Sequence, residues 1–143
     1  MLNQILYCMI DNTHELRIHF FDADGGDAIW IRYYGDDDIW HNILIDGGFI
    51  GSYSSTFQPV LRAISDVDEV VDLWVITHID LDHIGAVLSF IRDKTIEDKE
   101  KLVKSYWFNH ALFKLPGMKG KIGYKQGIDL RTYLETINKL TIE

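Results

Sequence analysis

Four residues with metal-ligand chemistry fall within six positions of this chain: His78, Asp80, Asp82 and His83. Imidazole nitrogens and carboxylate oxygens are the donors that Zn²⁺, Mn²⁺ and Fe²⁺ accept. The apolar run Leu73 to Ile76 delivers them, and Gly85 with an apolar, helix-like segment follows. Positions 78, 80 and 82 alternate, so an extended backbone would present all three side chains on one side. A turn into a helix would then bring His83 beside Asp82 but aimed in a different direction. Two of these ligands could serve one ion and two its neighbour. The expectation is half of a dinuclear site holding two divalent metal ions, Zn²⁺ first, with Mn²⁺ or Fe²⁺ as alternatives. A solvated acidic turn with incidental histidines is the competing reading.

His110 is an additional candidate, because it follows the strand-like run ending in Phe108-Asn109. A surface or loop-packing histidine is its plainer role. His14, His19 and His41 lack ligand-like neighbours. Cys8 stands among Leu, Ile, Tyr and Met and reads as a buried apolar residue. The triplet Asp36–Asp38 reads as a solvated hairpin tip.

The elements that must position the four ligands are legible around them. Leu16, Ile18 and Phe20 alternate with polar residues, and Asp24-Gly25-Gly26 turns the chain. Ala28 to Tyr34 and Ile39 to Ile45 read as a hairpin about Gly35-Asp36-Asp37-Asp38. Phe57, Val60, Leu61 and Ile64 recur at helical spacing, with Pro59 tolerable in a first turn. Val71 to Ile76 is nearly all apolar, as expected of a strand covered on both faces. Ile84, Val87, Leu88 and Ile91 form a helix stripe behind the ligands. Residues 93–101 read as a charged connection, and Ser105 to Phe108 as another buried strand. Leu130, Tyr133, Leu134, Ile137 and Leu140 form a final amphipathic helix. The order is that of a layered α/β unit, a single domain over residues 1–143.

The chain has 143 residues, 47% of them hydrophobic and 25% charged, enough to bury one core. No segment approaches a transmembrane span, and the start lacks a secretory pattern, so no membrane association is expected. A single cysteine cannot form an internal disulfide, which makes a reducing cytoplasm the expected compartment. The formal net charge of -8 disfavours broad, sequence-independent nucleic-acid binding. Lys114, Lys119, Lys121 and Lys125 gather late and could guide an anionic substrate, though a solvated loop explains them as well.

The run His78-x-Asp80-x-Asp82-His83 resembles the metallo-β-lactamase superfamily signature, with aspartate at its second position. Asp22-Ala23-Asp24-Gly25-Gly26-Asp27-Ala28 and Asn42-Ile43-Leu44-Ile45-Asp46-Gly47-Gly48 resemble two upstream segments of the branch related to the DNA-uptake protein ComEC. Asp24 stands where that branch has glycine, and Asp80 makes the site harder and less zinc-selective.

The resemblance implies an α/β fold (α+β layered), the N-terminal half of a metallo-β-lactamase αββα sandwich. It implies a hydrolase using a metal-activated water, with Asp82 orienting that water and accepting its proton. Asp46 and Asp27 would sit beneath the site and hold the ligands by hydrogen bonds. Phosphodiesters, and so nuclease activity, are the implied substrates; other esters, thioesters or lactams are the alternatives. The family draws its remaining ligands from a second half, which is expected to be missing here. A C-terminal half, a partner subunit or a homodimer would have to supply it. Without one, the chain would be a catalytically incomplete fragment or interaction subunit, with an uncovered sheet face. Each exposed Å² of apolar surface there would cost about 25 cal/mol.

Overall fold

The computed structural model describes residues 5–9, 15–108, 124–137 and 139–141, with side chains described from Glu15 onward except at Tyr124, Leu140 and Thr141. His110, Lys114, Lys119 and Lys121 lie outside the described residues.

Among the described residues seven strands form one sheet in sequence order. The first four, β1 (Ile5–Met9), β2 (Glu15–Phe20), β3 (Ala28–Tyr34) and β4 (Trp40–Asp46), are an antiparallel meander. The β3–β4 hairpin turns through Gly35 and the three aspartates, as the alternating pattern on either side predicts. Beyond β4 the sheet turns parallel through β5 (Leu73–Ile76), β6 (Tyr106–Phe108) and β7 (Leu140–Thr141).

Helices make the crossovers: α1 (Phe57–Asp66), α2 (Leu81–Arg92), the single turn α3 (Lys99–Leu102) and α4 (Tyr124–Thr136). All four contribute to one buried cluster with the sheet, so they cover the same face. Successive parallel strands added in one direction require this when every crossover has the usual right hand. Phe57, Val60, Leu61 and Ile64 of α1 are buried at the spacing the sequence predicts. Pro59, at the third helical position, costs no intrahelical bond.

Trp74 is the centre of the core. Its ring packs 5.6 Å from Phe57, 5.5 Å from Phe90 and 6.2 Å from Tyr106, centroid to centroid. Its indole N–H donates to the Asp46 carbonyl at 2.9 Å. That bond ties the end of β4 to β5, at the point where Asp46 takes the left-handed conformation (φ 52°) that lets the chain turn. At the far end of α2 the Asp93 carboxylate accepts from Tyr53, Gln58 and Thr95 at 2.7–3.0 Å, and so clamps this helix to the segment leading into α1.

The other face of the sheet carries no helix among the described residues. Register places Ile18, Ile31, Ile43 and Leu73 in one row across it, and Phe20, Ile29, Ile45, Val75 and Trp107 in the next. These residues are only partly buried or exposed, Phe20 by 52% and Trp107 by 44%. Strand β5 is therefore covered on one face, not two, and β6 exposes its middle residue. Both read as fully buried strands because their outward positions are as apolar as their inward ones.

The last element also differs: α4 ends at Thr136, and Leu140 pairs with Tyr106 in β7 instead of extending the helix. Leu140 keeps the helical spacing, but the edge of β6 offers unpaired backbone groups that a strand satisfies.

Candidate metal centre

Strand β5 ends at Ile76, and α2 begins at Leu81 with Asp80 as its N-cap residue in extended conformation (φ -68°, ψ 143°). The four residues between them are a short loop that carries His78 and Asp80, while Asp82 and His83 stand in the first turn of α2. The backbone is extended only as far as Asp80. Asp82 already belongs to the first helical turn, so the alternation expected for 78, 80 and 82 stops one residue short. The helix starts early because the Asp80 carbonyl accepts from both His83 N–H and Ile84 N–H, at 2.9 and 3.1 Å. Asp82 gains from this position, since a carboxylate in a first helical turn faces the positive end of the helix dipole.

Beneath the loop lies Asp46, 1% exposed at the end of β4. Its Oδ1 accepts from the Thr77 backbone N–H at 2.8 Å. Its Oδ2 accepts from the Thr77 hydroxyl at 2.6 Å and faces His83 Nδ1 at 3.0 Å. A carboxylate can only accept, so His83 carries a proton on Nδ1, and as a neutral imidazole it presents a bare Nε2. The two imidazoles, His78 and His83, stand side by side with centroids 3.7 Å apart.

Each histidine also faces an aspartate. His78 Nε2 lies 3.7 Å from Asp80 Oδ2, and His83 Nε2 lies 3.7 Å from Asp82 Oδ2. Two donors, each about 2.0–2.1 Å from one tetrahedral ion, stand about 3.4 Å apart. The His–Asp pairs match that span to a few tenths of an ångström, and their donor chemistry suits a divalent cation. One donor atom from each of Asp46, His78 and His83 also falls within a 4.8 Å group. Asp46 already accepts three hydrogen bonds, which makes it the holder of the site more than a donor to an ion.

The Asp22–Asp27 turn packs against the first turn of α2. A Cβ at Gly26, whose φ is 69°, would lie 1.8 Å from the Asp82 carbonyl oxygen. Only glycine permits that approach and that conformation. Asp24 takes a left-handed conformation itself (φ 56°). Asp27 is exposed; its carbonyl accepts from Gly48 N–H at 2.9 Å, tying the turn to the end of β4. The close approach recurs at Gly85, where a Cβ would lie 2.3 Å from the Ile50 backbone nitrogen.

His19 is stacked on Trp30 in the meander, its pKa lowered by burial and by Arg17 and Arg32. His41 lies between Asp37 and Asp72 at 3.1 and 3.3 Å, at the opposite end of β4 from Asp46. Thr77 is the residue that sequence reasoning missed. Its only signal was a hydroxyl directly before the first histidine.

The chain matches the metallo-beta-lactamase superfamily over residues 22–139 and belongs to it. Among solved structures it is similar to a metallo beta lactamase from Erythrobacter litoralis, at 16% identity over 85% of this chain and 49% of that one (TM-score 0.37). It is similar to another from Hirschia baltica, at 12% identity over 83% and 49% (TM-score 0.37). A flavo di-iron protein from Thermotoga maritima matches at 15% identity over 85% of this chain and 32% of that one (TM-score 0.42). The chain spans about half the length of the first of these, 49%. No curated protein matches it. Among the described residues no helix is long and apolar enough to cross a membrane.

Proposed function

We propose that this chain carries the metal-binding half of a metal-dependent hydrolase whose substrates are phosphodiesters. One observation carries the reading: two His–Asp pairs with 3.7 Å spans open outward, while one buried carboxylate holds the loop from behind. His78 and Asp80 form one pair of ligands, Asp82 and His83 the other. Divalent ions held by these residues would supply an activated water and neutralise charge on the attacking and leaving oxygens. Asp82 would orient such a water and accept its proton. Asp46 keeps the imidazoles aimed.

The phosphodiester assignment draws on the ComEC-like segments at Asp22–Ala28 and Asn42–Gly48, and on how well paired cations suit phosphoryl oxygens. The test is hydrolysis of bis(p-nitrophenyl) phosphate with added Zn²⁺ or Mn²⁺. Expected is chelator-sensitive turnover that His83→Ala abolishes. Turnover confined to carboxylic esters, thioesters or lactams would overturn the substrate assignment.

A second reading, an incomplete site that needs a partner half, is favoured by the apolar outer face of the sheet. Phe20 and Trp107 are 52% and 44% exposed there. The covering layer would be a C-terminal half, a partner subunit or a second copy of the chain. Sedimentation velocity tests the last of these: a concentration-dependent dimer that Trp107→Lys disperses is expected, and a monomer at all concentrations would exclude it.

A further inference from the structure

The Thr77 hydroxyl lies between the two functional parts of the centre, 2.6 Å from Asp46 Oδ2 and 2.8 Å from His78 Nδ1. A hydroxyl has one proton to give. Two oxygens at 2.6 Å need a hydrogen between them, and a carboxylate has none to offer, so the Thr77 proton points at Asp46. The hydroxyl oxygen then has only lone pairs left for His78. A ring nitrogen 2.8 Å from those lone pairs must itself carry hydrogen, because two bare acceptors at that distance repel.

We infer that Thr77 is a positioning residue that relays the Asp46 charge to His78, fixing its proton on Nδ1 and leaving Nε2 bare for a cation. This rests on the metal-site reading above and adds to it the means by which one carboxylate sets both imidazoles. Asp46 acts on His83 directly, at 3.0 Å, and on His78 through the hydroxyl. The Thr77 backbone N–H, donating to Asp46 Oδ1 at 2.8 Å, holds the hydroxyl in register for the task. The requirement is a hydroxyl, not a threonine shape. Serine serves, whereas valine, with the same outline and no proton, does not.

The test reads tautomers by ¹⁵N NMR on the metal-free chain labelled at histidine, at a pH where ordinary imidazole is neutral, about 8.5. In the wild type His78 and His83 both show Nδ1–H and a bare Nε2. In Thr77→Val, His78 loses that preference while His83 keeps it. Zn²⁺ affinity, measured by chelator competition, falls roughly 10- to 100-fold, the usual cost of removing a partner that orients a ligand. Thr77→Ser restores both.

A wild-type His78 with a bare Nδ1 would overturn the inference, as would a valine variant with unchanged tautomer and affinity. The wild-type spectrum decides where the proton sits even if the valine variant fails to fold. Because the tautomers are read without metal or substrate, failure of phosphodiester hydrolysis leaves this outcome separate.

Discussion

Replacing Asp46 with asparagine changes one atom and reverses the hydrogen-bond logic of the centre. The side-chain oxygen of Asp46→Asn can still accept from the Thr77 backbone N–H. Its amide then stands where Oδ2 now accepts from the Thr77 hydroxyl at 2.6 Å and from His83 at 3.0 Å. An amide donates, so His83 must turn its bare nitrogen inward and carry its proton on Nε2. The Thr77 oxygen must accept from the amide, which sends the hydroxyl proton towards His78 Nδ1 and moves that ring's hydrogen to Nε2 as well.

Three bonds to a charged acceptor, about 1.5–3 kcal/mol each, become bonds between neutral groups at about 0.5–1.5. The stability loss is therefore about 3–4.5 kcal/mol, read from urea denaturation of the metal-free chain. Both metal-facing nitrogens are now protonated, and one misdirected ligand costs roughly 10- to 100-fold in affinity. Two misdirected ligands acting independently would cost about 10²- to 10⁴-fold, measured by chelator competition with Zn²⁺. An asparagine variant that folds and binds within about threefold of the wild type would refute the reasoning, since threefold is well under one ligand's worth.

Gly26→Ala places a methyl 1.8 Å from the Asp82 carbonyl in a left-handed backbone. It should lower stability by more than about 1 kcal/mol and weaken metal binding, both absent from a Gly51→Ala control, where the added methyl meets open space. Trp74→Ala should cost about 3–5 kcal/mol in denaturant midpoint-derived stability, as expected for a large core aromatic.

Asp93 supplies the pH dependence. Burial alone would raise its pKa, but hydrogen bonds from Thr95, Gln58 and Tyr53 outweigh it and hold the carboxyl well below 3.8. The unfolded chain then takes the proton first, so this stabilisation is complete above the ordinary value and is lost as pH falls below it. Melting temperatures between about pH 6 and pH 2 should therefore fall less steeply in Asp93→Asn than in the wild type.

Much of this site could be read from residue order because its parts are local. The His78–His83 run is six residues long, and its strand and helix neighbours announce themselves by apolar period. The β3–β4 hairpin was equally plain, with alternation on both sides of Gly35 and three aspartates. What escaped was set by distant packing. The start of α2 at Leu81 depends on the Asp80 carbonyl, and the one-sided burial of β5 depends on which layers exist around the sheet. Leu140 has helical spacing, yet joins a strand because β6 needed a partner. Thr77 escaped for a related reason: its role exists only because β4 brings Asp46 beneath it, and that contact spans 31 positions.

The most direct test of the centre is elemental analysis of the purified chain after dialysis, beside the double variant His78→Ala/His83→Ala. The geometry predicts stoichiometric divalent metal in the wild type and its loss in the variant. A wild-type chain that retains no more metal than the variant would contradict the assignment of these residues as a metal centre.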